Sequence, residues 1–435
     1  MKKDIIKVAL LGMGTVGSGV YEVIEQLQKD YFVHKVGADV QVKRVLVRTP
    51  EKYANQVAPH TILTTEWKDI LNDDEISIVI EVMGGIEPAR TYLMDALRAG
   101  KNIVSANKDL IAVHGQELQK LAAEMKRDFR YEASCLGAIP IVQPLKENMA
   151  ANHFSELVGI MNGTTNFILT RMADNGLSFE EALAEATALG YAEADPTADV
   201  EGLDAGRKVA ILANIAFHTP AVFDDVHVEG ITKISKLDMA YADSINCVIK
   251  LLGIASKQED GLCLRVHPAI IAKSHPLATV GGSFNAVFVK GDAIDEAMFY
   301  GRGAGKLPTA SAVVGDVIDI CRDIVYGCEG RIGDYTYENV PIKSMSQMRS
   351  RFYVRLIIPD RPGVLGEVGM LFGDSGVSIA QAMQKDSTNS KDAEFVIITH
   401  EVLEEKFLEA LDRLNNTDSV RQVENVIRIY GRLPQ

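Results

Sequence analysis

The stretch IIKVALLGMGTVG, residues 5–17, decides the fold of this chain. Its first seven residues are almost all apolar, as in a parallel strand that is buried on both faces. The glycines at 12, 14 and 17 follow at once with GxGxxG spacing. Apolar residues then recur at helical spacing, namely Val16, Val20, Val23, Ile24 and Leu27. A strand, a glycine turn and a helix in this order predict a dinucleotide-binding unit. The alternative is an ordinary glycine turn.

Alternating strands and helices continue this unit. A predicted strand over 76–82 leads into Gly84, and a second one over 102–105 leads into Lys108. Such alternation predicts an α/β fold with a Rossmann-like doubly wound sheet, in which ligands bind at the carboxyl ends of the strands. We therefore place Gly84, Ser105 and Lys108 near a cofactor. The alternative for Lys108 is an ordinary surface lysine, but its place at a strand end favours a role at the site.

Arg48 bears on the choice of cofactor. It follows the second predicted strand, residues 40–47. A free ribose 2′-hydroxyl is usually bound by an acidic residue at this strand end, whereas an arginine suits a 2′-phosphate. We therefore predict NADP as the cofactor, with NAD as the alternative, unless Arg48 is merely solvated.

The segment GYAEADPTADVEGLDAGRK, residues 190–208, is rich in carboxylates and ends on a lysine. The residue before a proline avoids the helical region, so the carboxylates before Pro196 are predicted to lie on a loop. A helix is predicted over 200–217, with Asp204 and Lys208 on one face. The pair is either a surface ion pair, contributing ~0–1 kcal/mol, or an aspartate that orients a proton-transferring lysine.

Four segments follow from these patterns. The predicted domains are 1–138 for dinucleotide binding, 139–330 as a second, mixed α+β domain, 331–350 as a polar linker, and 351–435 as a separate C-terminal module. The last segment has the element order βαββαβ of a ferredoxin-like fold. Because a linker precedes it, we expect a chain ending near Ser344 to fold and to keep its activity.

Composition narrows the classes of partner. The formal net charge of −14 disfavours nucleic acid and anionic membrane surfaces. No apolar run reaches the ~20 residues of a membrane helix. Five cysteines without a CxxC pattern indicate free thiols in a reducing, cytoplasmic setting. The nine histidines show no spacing typical of a zinc site.

With these elements in place, the chain resembles homoserine dehydrogenase over nearly its whole length. The matching stretches are GMGTVGSGV, SANKDL, YEASCLGAIPIV, IMNGTTNFIL, LGYAEADPTADVEGLDAGRKVAIL and GRGAGKLPTASAVVGD. The tail resembles an ACT domain, with DRPGVL as its opening motif. The chain is similar to the monofunctional form of the family. The resemblance implies reversible reduction of L-aspartate 4-semialdehyde to L-homoserine, in threonine, methionine and isoleucine biosynthesis.

The resemblance also implies roles for individual residues. It makes Lys208 the acid–base group, with Lys108 and Asp204 as further catalytic residues. The predicted substrate-binding residues are Glu193, Asp199, Asp204 and Lys108. The predicted cofactor-binding residues are Gly12, Gly14, Thr15, Val16, Gly17, Arg48, Gly84, Ser105, Lys108, Gly190 and Gly303. A monovalent cation, expected to be Na⁺, is implied on backbone carbonyls of Glu132, Cys135, Gly137 and Ile139.

Regulation and assembly are implied as well. L-threonine is the candidate effector of the ACT domain, where Ser378 stands at a position at which asparagine often contacts an amino acid. The resemblance makes residues 139–330 the domain for substrate binding, catalysis and oligomerisation, and residues 351–435 the ACT regulatory domain. A homodimer or homotetramer is expected. Two other functions stay open: a different nucleotide-dependent amino-acid or aldehyde dehydrogenase on the same frame, and an amino-acid sensor that no longer catalyses.

Overall fold

The computed structural model describes residues 5–27, 29–333, 336–385 and 391–434. Its helices are α1 Thr15–Glu22, α2 Phe32–Val36, α3 Trp67–Leu71, α4 Ala89–Arg98, α5 Lys108–Met125, α6 Gly163–Asn175, α7 Phe179–Ala188, α8 Thr197–Val200, α9 Leu203–Phe217, α10 Lys236–Ser244, α11 Lys306–Tyr326, α12 Val364–Asp374 and α13 Glu404–Asn415. Its strands are β1 Ile5–Leu11, β2 Asp39–Leu46, β3 Ile62–Thr64, β4 Ile76–Glu81, β5 Asn102–Ser105, β6 Phe129–Arg130, β7 Phe154–Ile160, β8 His227–Val228, β9 Cys247–Gln258, β10 Gly261–Ala272, β11 Phe284–Gly291, β12 Asp295–Arg302, β13 Arg349–Pro359, β14 Ile379–Lys385, β15 Asp392–Thr399, β16 Val402–Leu403 and β17 Gln422–Tyr430.

The chain divides into two compact units. The first comprises Met1–Leu157, Arg207–Asp225 and Asn285–Val340, and the second comprises Val158–Gly206, Val226–Phe284 and Pro341–Gln435. Both units are therefore built from separate stretches of sequence. No helix among the described residues is long and apolar enough to cross a membrane.

The first unit contains the predicted parallel sheet. Its strand order is β3-β2-β1-β4-β5-β6, and all neighbouring strands run parallel. This order places the crossover between β1 and β4, as in doubly wound nucleotide-binding folds. The prediction of a Rossmann-like sheet is confirmed.

Helix α11 completes the core of this sheet. Ala310, Val313 and Val317 are fully buried in one apolar cluster with Val8 and Leu10 of β1. The sequence indicates this helix near 308–325 but assigns it to the segment 139–330. Its apolar face packs instead in the core of the N-terminal sheet, a long-range contact that periodicity alone does not reveal.

The second unit contains a sheet with the strand order β9-β10-β17-β13-β15-β14. Within it, β17, β13, β15 and β14 form an antiparallel sheet with helices α12 and α13, which confirms the ferredoxin-like βαββαβ order. The module has its own apolar core, in which Phe352 stacks on Phe407 with ring centroids 3.6 Å apart.

The same sheet joins the C-terminal module to earlier residues. β17 pairs in parallel with β10, with Ala269, Ile270 and Ile271 opposite Arg428, Ile429 and Tyr430. In the predicted linker, the Lys343 amide donates to the Leu262 carbonyl at 2.8 Å. The module is therefore part of a larger sheet, which its local sequence pattern does not disclose.

The helix predicted over 200–217 is two helices. α8 ends at Val200 and α9 begins at Leu203, because Gly202 between them adopts a left-handed φ of 80°. A Cβ on Gly202 would lie 3.1 Å from a methyl group of Val228, so a larger residue would be crowded as well as strained. The break puts Asp204 in the first turn of α9.

Candidate functional site

The glycine turn after β1 has the shape of a phosphate-binding loop. Gly12 has φ 100°, and a Cβ on Gly17 would lie 2.2 Å from the Gly12 carbonyl oxygen, so only glycine fits at 17. A Cβ on Gly14 would meet nothing within 4 Å, which leaves that side of the turn open. No side chain caps the start of α1 at Thr15. Backbone N–H groups at an open helix start are suited to a pyrophosphate.

Arg48 lies exposed, two residues beyond the end of β2. β2 is the neighbour of β1 in the parallel sheet, so both strands end at the same edge. At this edge of the sheet, the exposed Arg48 side chain is accessible to solvent and is also suitably placed for a 2′-phosphate of NADP.

The ends of β4 and β5 are joined by a carboxylate that the sequence analysis did not select. Glu81, the last residue of β4, is fully buried. It accepts hydrogen bonds from the Ser105 hydroxyl at 2.7 Å and from the amides of Met83 and Gly84 at 2.8 and 3.3 Å. Burial raises the pKa of this carboxyl, whereas the hydrogen bonds lower it. The sequence contains one indication that Glu81 has a special role, because this acidic residue ends an otherwise largely apolar strand.

Asn107 connects this carboxylate to the helix that begins with Lys108. Its Nδ2 donates to the Gly85 carbonyl at 2.6 Å and to Glu81 at 3.4 Å. Its Oδ1 accepts from the Leu110 amide at 3.2 Å and so caps α5. Lys108, the first residue of α5, is half-buried. Ser105 and Gly84, both predicted near the cofactor, belong to the same network.

An ion pair joins the beginnings of the two helices that carry the predicted catalytic lysines. Arg207 Nε lies 2.8 Å from Asp109 Oδ1. Asp109 follows Lys108 in the first turn of α5, and Arg207 precedes Lys208 on α9. The two lysines, a hundred residues apart in sequence, are thus on helices that are tied together. Lys208 itself is buried, with 7% of its surface exposed.

Asn162 brings together two of the predicted substrate-binding carboxylates. Its Nδ2 donates to Asp199 Oδ1 at 2.7 Å and to Asp204 Oδ2 at 2.9 Å, while its Oδ1 accepts from the Thr165 amide at 2.9 Å. Asp204 is 3% exposed. Asn162 lies in the stretch IMNGTTNFIL, and no role for it is evident from the sequence alone. An asparagine that caps α6 and holds two carboxylates fixes the acidic segment in one geometry.

The other candidates of the acidic segment lie on its loop. Glu193 is exposed, and Gly190 turns the chain after α7 with a φ of 76°. The adjacent Tyr191 is held through its carbonyl by the Thr164 hydroxyl at 2.8 Å. An exposed carboxylate on a held loop is accessible to a ligand ammonium, so Glu193 stays a candidate by its chemistry.

The candidate cation loop is buried and unusually bent. Leu136 and Gly137 have φ values of 59° and 54°, and Cys135 and Ile139 are buried. The Glu132 carboxylate accepts from three backbone amides, those of Ile141, Val142 and Gln143, at 2.7 to 2.8 Å. Its oxygens are therefore engaged, and an ion here would be held by carbonyls. Among the described residues, no cluster of three His, Cys, Asp or Glu could hold a metal.

The turn at Gly303 packs against this loop. A Cβ on Gly137 would lie 2.6 Å from the Gly303 carbonyl oxygen, and a Cβ on Gly303 would lie 2.3 Å from Asn285 Oδ1. The Asn285 amide is buried, and within the described part of the chain neither its oxygen nor its nitrogen has a hydrogen-bond partner. Buried polar groups are nearly always satisfied, so this region fits a bound ion or water.

Three family descriptions match the chain. They are "Homoserine dehydrogenase, NAD binding domain" over 12–132, "Homoserine dehydrogenase" over 140–318 and "ACT domain" over 352–418. The homoserine dehydrogenase of Synechocystis sp. is 43% identical, covering 98% of this chain and all of that protein.

Solved structures agree with these matches. The crystal structure of a homoserine dehydrogenase from Thiobacillus denitrificans superposes with a TM-score of 0.92 at 39% identity, covering 98% of each chain. A hyperthermophilic archaeal homoserine dehydrogenase mutant in complex with NADPH superposes with a TM-score of 0.62 at 25% identity, covering 73% of this chain and 97% of that one.

Proposed function

Because the chain belongs to the homoserine dehydrogenase family, which interconverts L-aspartate 4-semialdehyde and L-homoserine with a nicotinamide cofactor, we propose that Lys208 transfers the proton in this reaction. The enzyme is an oxidoreductase acting on a CH–OH group in amino-acid biosynthesis. One observation carries the role of Lys208. It is buried one helical turn after Asp204, whose carboxylate Asn162 holds. A solvated surface pair would not be buried in this way.

Each residue has a defined task in the proposed mechanism. When bound, a nicotinamide cofactor would supply the hydride that the aldehyde carbon receives. The Lys208 ammonium donates a proton to the oxygen, on which negative charge develops, and the neutral amine takes it back in the reverse direction. Asp204 and Asp199, fixed by Asn162, and the accessible Glu193 bind the substrate ammonium. Lys108 adds positive charge near the reacting oxygen.

The proposal is tested by following NADPH absorbance with L-homoserine and NADP as substrates. Homologous amino alcohols and simple alcohols serve as comparison substrates. A clear preference for L-homoserine is expected, because the carboxylates of the acidic segment require an amine on the substrate. Equal turnover of an alcohol without the amine would contradict this substrate assignment.

We propose NADP rather than NAD as the preferred cofactor. The open glycine turn and the exposed Arg48 beyond β2 support this choice. Arg48→Asp is expected to raise the KM for NADP about tenfold or more, the size of a lost charge-assisted hydrogen bond. The KM for NAD should change little. Lys68→Asp, the same charge reversal at an exposed position of α3, should leave both values unchanged. Equal losses with both cofactors in Arg48→Asp would show that this side chain does not recognise the phosphate.

A monovalent cation, Na⁺ first, is proposed on the carbonyls of the Glu132–Ile139 loop. Replacing sodium and potassium salts by choline chloride at matched ionic strength is expected to lower the melting temperature and the activity. Gly137→Ala should lower the melting temperature and remove its dependence on sodium, because its Cβ would strike the Gly303 carbonyl. Gly176→Ala is the matched control, since it has a similar φ of 64° but open space around a Cβ. Identical melting curves with and without sodium would exclude a structural ion.

The ACT domain is a small-molecule-sensing module, and we propose L-threonine as its ligand. Ser378 and His400 are candidates for contact with it, because their exposed side chains lie 3.3 Å apart at the ends of β14 and β15. We also propose a homodimer or homotetramer in the cytoplasm as the working form of the enzyme.

A further inference from the structure

Glu81 is a fully buried carboxylate at the end of β4, one of the two middle strands of the parallel sheet, and burial of a charged group is energetically unfavourable. A buried carboxylate costs several kcal/mol unless its oxygens are fully hydrogen-bonded. All four groups that contact Glu81 can donate to it: the Ser105 hydroxyl, the amides of Met83 and Gly84, and Asn107 Nδ2. A carboxylate is the only side chain that can accept from all of them at once.

These four donors belong to two different strand ends. Met83 and Gly84 lie on the loop after β4, and Ser105 and Asn107 lie after β5. Gly84 and Gly85 both have φ 75°, and a Cβ on either would meet nothing within 4 Å. The side of the loop on which these Cβ atoms would lie is therefore open, and the hydrogen bonds of Met83 and Gly84 to Glu81 help to fix where the loop lies.

The second strand end determines where α5 begins. Asn107 caps the helix through the Leu110 amide while its Nδ2 contacts Gly85 and Glu81. The next residue is Lys108. A shift of the cap would move Lys108 by a similar amount, and a displacement of ~1 Å at a reacting group can cost ~10²-fold in rate.

We propose that Glu81 is a positioning residue for hydride transfer, which fixes the loop Met83–Gly85 and the cap of α5 in one arrangement and thereby sets the place of Lys108. The proposal rests on the role of Lys108 beside the nicotinamide and substrate given above. Glu81 itself is fully buried. Its action is through Ser105 and Asn107.

The test compares Glu81→Gln with wild type in kcat, KM and NADPH affinity. The substitution keeps the size of the side chain but replaces one acceptor by a donor. The kcat is expected to fall ~10-fold or more, while the NADPH dissociation constant, measured by nucleotide fluorescence, changes less than about twofold, because the Gly12–Gly17 turn and Arg48 bind the other half of the cofactor. Asn107→Ser keeps a residue that can cap α5 but removes the contacts of Nδ2 with Glu81 and Gly85, and it should give a smaller loss of the same kind.

Asp128→Asn is the matched control. Asp128 is also a buried carboxylate of the first unit, 2% exposed, but it accepts from the Gly330 amide and has no contact with the cap of α5. Its replacement should alter the melting temperature and leave kcat unchanged. The proposal is overturned if Glu81→Gln lowers only the melting temperature, if Asp128→Asn lowers kcat equally, or if NADPH affinity falls as much as kcat. If Glu81→Gln does not fold, Asn107→Ser decides by the same criteria. A wild-type enzyme inactive on homoserine would instead contradict the proposed function.

Discussion

Lys208→Ala is expected to lower kcat ~10²–10⁴-fold, the usual loss for a general acid–base group. The side chain is buried and follows Asp204 by one turn of α9, so solvent cannot easily replace it as a proton donor. NADPH affinity should stay nearly unchanged, because the nucleotide turn lies on β1 and α1. Steady-state kinetics together with nucleotide binding separate the two effects.

Lys101→Met is the matched control for this variant. Lys101 is likewise buried, 3% exposed, and donates to the carbonyls of Asp73 and Ile76 at the opposite end of the sheet. Its loss should cost stability without a comparable loss of kcat. Glu193→Gln should act mainly on the KM for homoserine. Near-normal turnover in Lys208→Ala would mean that the pair with Asp204 is only structural.

A chain ending at Ser344 is expected to lose the fold of the second unit and, with it, activity. The sequence alone led to the opposite expectation, because it shows a polar stretch before a self-contained pattern. In the structure, removal of the module would leave β10 without its neighbour β17. An unpaired strand edge is a site for aggregation.

The truncation would also leave a buried carboxylate without its hydrogen-bond partners. Asp238 on α10 is fully buried and accepts from Arg355 Nε at 2.8 Å, Asn425 Nδ2 at 2.8 Å and the Tyr353 hydroxyl at 3.2 Å, all three from the module. Removing one partner of a buried pair typically costs ~3–5 kcal/mol. Arg355→Met should therefore lower the melting temperature strongly.

Arg361→Met is the control for Arg355→Met. It breaks the exposed pair with Glu367 in the same module and should change the melting temperature little.

For the chain ending at Ser344, the measurements are circular dichroism, melting curves and solubility. A soluble, cooperatively melting and active chain ending at Ser344 would show that the module is dispensable for folding.

Local pattern was sufficient where neighbouring residues determine the structure. The turn of Gly12 and Gly17, the strand that ends before Lys108 and the acidic segment before Lys208 all follow from spacing and backbone preference. The family resemblance then supplied the roles of these residues. The sequence also predicts a strand over 129–133, whereas only Phe129–Arg130 pair in the sheet.

Residues whose role depends on distant partners were missed. Glu81 and Asn162 are ordinary polar residues in sequence, and their importance appears only when Ser105 or Asp204 is brought beside them. The pairing of β17 with β10 joins residues separated by more than a hundred positions. Periodicity describes one face of an element and cannot identify what covers it.

The parallel pairing of β10 with β17 limits how such enzymes can be given new sensors by gene fusion. The stretch that matches ACT domains ends at residue 418, before β17 begins at Gln422. A graft made at those limits would pair the β13 of a foreign module with the β17 of this chain. The side chains of these two strands have not evolved to pair in one register. A transferred segment that instead includes β17 must contain a residue equivalent to Arg428. This arginine lies 2.7 Å from Glu229, which follows β8. In a functional chimaera, the junction between the two sequences therefore lies after β10 and not at the apparent boundary of the module.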